Sequence, residues 1–145
     1  MTFSLSADIL HVEDNIAEVY LVQEFFKEGI KKNIHVARDG EEAIDFLRQQ
    51  NNYKNAPVPD LILLDLNLPK KSGREVLLEI KQDPKLRHIP VIILTVSTSK
   101  EDIQYSYKNL ANCYIKKPDK IEQFSDINKY IDELWLKLLI KDKSA

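Results

Sequence analysis

The chain has 145 residues, 43% of them apolar and 30% charged, which is ample for one core and too short for two domains of ordinary size. Lys plus Arg number 21 and Asp plus Glu 23, and the resulting net charge of −2 disfavours loose adhesion to nucleic acid or an anionic membrane. The single cysteine, Cys113, excludes an internal disulfide, and the three glycines are too few for glycine-rich phosphate loops or a GxSxG nucleophile elbow.

Met1 to Ala7 carries no Lys or Arg, so no secretory signal is expected. Apolar runs are far shorter than a membrane span requires, and the expected location is the cytoplasm. Ile9 to Val12 reads as a first strand closing on Glu13-Asp14, and Ile16 to Lys27 follows with apolar residues three or four apart, as in a helix. Ile34 to Ala37 is a second strand and Glu41 to Gln50 a second helix. Leu61 to Leu64 is apolar without a break, as in a strand covered on both faces, and it closes on Asp65, with Asn67 and Pro69 just beyond. A helix over Gly73 to Gln82 leads to a second unbroken run, Val91 to Leu94, that closes on Thr95. Lys100 to Lys108 is helical, Tyr114-Ile115 is a short strand followed by Lys116-Lys117-Pro118, and Ile121 to Leu139 makes a long last helix.

Strands and helices therefore alternate five times. That pattern implies right-handed crossovers onto a five-stranded parallel sheet with helices on both faces, an α/β doubly wound sandwich. Ligands of such sheets sit beyond the carboxyl ends of the strands, where Glu13, Asp14, Asp65, Thr95 and Lys117 all fall. Two unit charges 4 Å apart repel by about 4 kcal/mol at an effective dielectric near 20, so three clustered carboxylates need a cation. Oxygen ligands without His or thiolate in these loops point to Mg²⁺. Thr95 and Lys117 add a hydroxyl and an ammonium suited to phosphoryl oxygens, and an aspartate can accept a phosphoryl group covalently.

Blander roles compete at several positions. Asp14 or Asn15 can cap the first helix, and Tyr114 serves equally as a core aromatic or as a moving one. Lys70, Lys71 and Lys116 read as solvated charges, Cys113 as a small hydrophobe, and His11, His35 and His88 share no ligand spacing. In the last helix the run LWLKLLI, Leu134 to Ile140, is apolar on all sides, which favours an interface with a second copy or a partner through Tyr130, Trp135 and Leu139.

Taken together, Glu13-Asp14, the LLDLNLP run around Asp65, Gly73 eight residues later, ILT ending at Thr95, and YIKKP from Tyr114 resemble the receiver domain of two-component response regulators. The resemblance spans Ile9 to about Leu139, and HVEDN, NCYIKK and DELWL look most like stand-alone regulators serving cyanobacterial phytochrome kinases. It implies a CheY-like, flavodoxin-like fold with strand order 2-1-3-4-5 over residues 1 to 145, with no output domain. It also implies phosphoryl acceptance on Asp65 from a sensor histidine kinase. Glu13, Asp14, Asp65 and the Asn67 backbone carbonyl would hold Mg²⁺, Thr95 and Lys117 would contact the phosphoryl oxygens, and Tyr114 would be the aromatic switch of an α4-β5-α5 output surface. The implied role is that of a phosphoacceptor with slow self-dephosphorylation, not an enzyme, and no nucleic-acid or membrane partner is expected. Val96 departs from the small residue usual after the threonine, and its branched bulk is expected to narrow the approach to Asp65. The rivals are a haloacid-dehalogenase-like phosphatase, disfavoured because Asn67 stands where its acid would be, a flavodoxin-like carrier, disfavoured by acids in the first loop, and a receiver that has lost phosphoryl acceptance.

Overall fold

The computed structural model describes residues 6–144, with side chains described over 6–137. Five parallel strands, β1 (Ser6–Val12), β2 (Lys31–Ala37), β3 (Leu61–Leu64), β4 (Val91–Thr95) and β5 (Cys113–Lys116), form one sheet in the order β2-β1-β3-β4-β5. Helices α1 (Ile16–Phe25), α2 (Gly40–Leu47), α3 (Gly73–Gln82), α4 (Lys100–Lys108) and α5 (Phe124–Ser144) alternate with them. β3 and β4 are buried at every residue, which explains why they are apolar on both faces. Leu10, Val12, Ile62, Leu64 and Ile93 face one core with α2 and α3, while Ile9, Leu63, Ile92 and Leu94 face the other with Val22, Phe26, Ile127 and Ile131.

β1 and β2 begin earlier than their apolar residues, because ladder pairs such as Ser6 with Lys31 and Asp8 with Asn33 extend the sheet through polar sequence. The last helix starts later than Ile121. A short 3-10 turn covers Ile121–Gln123, and Ile121 is exposed instead of joining the core. Among the described residues, no helix is long and apolar enough to cross a membrane.

Asn15, and not Asp14, caps α1, accepting the Glu18 N–H at 3.2 Å, which leaves the Asp14 carboxylate uncommitted to the helix. Backbone bonds continue past the strands and align their ends: Glu13 N–H donates to the Ala37 carbonyl, Asp65 N–H to that of Val12, and Lys117 N–H to that of Thr95. Gly73 lets the start of α3 press on the loop after β3, since a Cβ there would stand 2.2 Å from the Asp65 carbonyl oxygen and 2.4 Å from Leu66 Cα.

Candidate functional site

The aligned strand ends gather a buried charge cluster. Lys117 Nζ lies 2.7 Å from Glu13 Oε1, 2.8 Å from Asp65 Oδ2 and 2.9 Å from Glu18 Oε2. The Glu13 and Asp65 side chains are 1% and 5% exposed, so these bonds are made largely out of water. Asp65 Oδ1 accepts the Asn67 backbone N–H at 3.0 Å, and Glu13 Oε2 accepts that of Asn15 at 3.2 Å. Both acids are thus oriented by the loops that carry them.

Of the expected site residues, Glu13, Asp65 and Lys117 meet directly. Thr95 is fully buried beside them, and its carbonyl fixes the Lys117 backbone. Asp14 and Asn67 stand at the exposed rim, and the Asp14 carbonyl accepts a bond from Arg38. Tyr114 is half-buried, and its hydroxyl donates to the Ser97 carbonyl at 2.8 Å. The Ser97 hydroxyl in turn donates to Asp102 at 2.6 Å, and Asp102 pairs with Arg74 of α3, so the loop after β4 is tied to three elements. Val96 is 61% exposed at the start of that loop. Tyr130 and Trp135 lie on α5, away from the cluster. Tyr130 is exposed, whereas Trp135 is half-buried and lines a small apolar cavity with Ala7, Ile9 and Leu61. The Leu139 side chain falls outside the described residues.

Two participants were not anticipated. Glu18, in the first turn of α1, looks in sequence like a charge favourable to the helix dipole. His11 sits two residues before Glu13, a spacing that puts both on one face of β1, and it is only 1% exposed. That spacing was the available signal.

Three carboxyl groups share one ammonium, a formal balance of 1 − 3 = −2 if all three were ionised. Burial, then the hydrogen bond to Glu18, pushes Glu13 up to about 9, so the cluster by itself retains a proton at neutral pH. Burial opposes the Lys117 charge, but bonds to Asp65, Glu13 and Glu18 outweigh it and hold Lys117 above the usual lysine range. Burial, then the Lys117 charge, lowers His11 to about 3 and keeps its imidazole neutral. A dication would cancel the surplus charge, and the oxygen donors at the rim and floor suit a hard one. The residues therefore fit a divalent metal.

The model of the response regulator receiver domain matches residues 9–129. The chain belongs to this family. It is 48% identical over 129 residues to the response regulator Rcp1 of Synechocystis, covering 88% of both proteins. Its fold matches the phosphorylated cyanobacterial phytochrome response regulator RcpA with a TM-score of 0.85 at 49% identity, covering 90% of this chain and 94% of that one. The Mn²⁺-bound form of Rcp1 matches with a TM-score of 0.83 at 47% identity, over the same shares. The expected fold and the receiver reading hold, ahead of the phosphatase and carrier readings.

Proposed function

We propose that this receiver takes a phosphoryl group onto Asp65 from the phosphohistidine of a sensor histidine kinase, one of the phytochrome type, and that Mg²⁺ is its resident ion. The observation that carries the reading is the Asp65 carboxylate, buried at a strand end and bonded to Lys117 within a cluster of surplus negative charge. In the transfer, an Asp65 carboxylate oxygen forms a bond to phosphorus as the bond from phosphorus to the kinase imidazole nitrogen breaks and its electron pair stays on that nitrogen. Lys117 meets the charge on the phosphoryl oxygens, and the Thr95 hydroxyl donates to one of them.

Glu13, Asp14, Asp65 and the Asn67 carbonyl are the groups that would hold Mg²⁺, which when bound supplies neutralisation of the incoming phosphoryl charge. The Mn²⁺ form of Rcp1 supports a divalent ion in such a site. The switch draws Thr95 toward the phosphoryl group and turns Tyr114 inward, which requires breaking its bond to the Ser97 carbonyl. Output then passes through protein contact on the α4-β5-α5 surface, in a chain that acts as a phosphoacceptor with slow self-dephosphorylation. A second copy docking on α5 is the favoured partner there, because Tyr130 and Leu136 are 37% and 42% exposed. Sedimentation tests that part: a monomer at high concentration in both phosphorylation states would remove it.

The test of the main reading is incubation with acetyl phosphate. Acid-stable, base-labile label on the wild type that needs Mg²⁺ and vanishes in Asp65→Asn is expected. Equal labelling of both proteins would sink the assignment.

A further inference from the structure

His11 is buried at the floor of the charge cluster, and its Nδ1 has no hydrogen-bond partner among the described residues. A buried polar atom left unpaired in a native fold calls for an explanation, and an unfilled ligand position is one. One ring nitrogen of His11, one carboxylate oxygen of Glu13 and one of Glu18 lie within 4.8 Å of one another. A tetrahedral ion with bonds of about 2.1 Å sets its donors roughly 3.4 Å apart. Binding would therefore require the two glutamate side chains to close on the imidazole.

The space between the two glutamates already accepts a cation, since Lys117 Nζ stands 2.7 Å from Glu13 and 2.9 Å from Glu18. The Lys117 ammonium has three donors, all of them engaged by Glu13, Asp65 and Glu18, so it satisfies the carboxylates but leaves His11 Nδ1 without a partner among the described residues. A borderline divalent ion does both. Imidazole nitrogen with two carboxylates selects Zn²⁺ over Mg²⁺, which prefers oxygen throughout. We propose that His11, Glu13 and Glu18 form a second cation site, adjoining the oxygen-only rim, that takes Zn²⁺ in exchange for the Lys117 ammonium. Glu13 is the wall between the two sites. Lys117 then keeps Asp65 as its partner, so occupancy alters the charge facing that carboxylate. The proposal stands whether or not Asp65 accepts a phosphoryl group.

The experiment titrates Zn²⁺ into the full chain in excess Mg²⁺, reading heat of binding and the imidazole nitrogen resonances of His11. Wild type is expected to bind one Zn²⁺ with a large shift of one His11 ring nitrogen. His11→Gln and Glu18→Gln are expected to weaken that binding by about tenfold or more. Glu18→Gln, on the helix that covers the site, keeps the test valid should His11→Gln not fold. Zn²⁺ uptake equal in wild type and Glu18→Gln, an unmoved His11 ring, or no uptake in the presence of Mg²⁺ would each overturn the proposal.

Discussion

Lys117 Nζ reaches Asp65 Oδ2 at 2.8 Å although the two residues leave different strands, β5 and β3, with β4 between them. The bond from the Lys117 N–H to the Thr95 carbonyl turns the lysine back over the end of β4. Removing one member of a buried pair leaves its partners uncompensated, at a cost of about 3 kcal/mol or more. Urea unfolding of Lys117→Met near neutral pH should show a loss of that size. An unchanged midpoint at neutral pH would show that the ammonium is not what holds the cluster.

Gly73→Ala is expected to disturb both stability and chemistry. Its Cβ would meet backbone atoms of Asp65 and Leu66, which cannot rotate away as a side-chain tip can. Overpacking against backbone costs about 1–3 kcal/mol, and here the displaced segment carries Asp65, the proposed phosphoacceptor. Denaturation together with acetyl phosphate labelling checks this, with both expected to fall.

Val96→Ala separates access from folding. Val96 is largely exposed, so stability should stay within about 0.5 kcal/mol. Because the branched side chain begins the loop beside Thr95, the smaller residue should speed loss of the phosphoryl group several-fold. Label decay followed after removal of the donor measures it, and identical decay would show that this side chain does not restrict approach.

His11 gives the fold an acid limit. The unfolded chain binds a proton on this ring near pH 6.5 and the folded chain only near pH 3. The unfolded state therefore holds more protons in between, so the ring's contribution is fully present above pH 6.5 and is lost as pH falls toward 3. Ring resonances of His11 should stay those of neutral imidazole from pH 7 down to pH 4, while denaturation midpoints decline. A ring that titrates near 6.5 in the folded protein would contradict the burial argument.

How far the sequence could be read depended on what each residue's role left visible. β3 and β4 were plain because burial on both faces demands unbroken apolar runs, and Asp65 and Thr95 end those runs. The polar beginnings of β1 and β2 were not, because ladder bonds between backbones leave no mark on side-chain type. Ile121 kept the helical spacing yet lies in an exposed 3-10 turn. Glu18 meets Lys117 only through the packing of α1 beside the strand ends, a relationship far apart in the chain that no local pattern encodes. Trp135 looked like a surface anchor in an all-apolar stretch, but it is half-buried and lines a small apolar cavity with residues of β1 and β3.

The unequal count of carboxylates and ammonium at the strand ends has a practical use. A protein whose native state carries unspent negative charge gains stability from any guest that binds there and not to the unfolded chain, in proportion to the logarithm of the guest's concentration over its dissociation constant. Melting temperature therefore works as an ion gauge: chelator should lower it, and ranking metals by the rise each produces would order their preference without a kinase, a signal or a label.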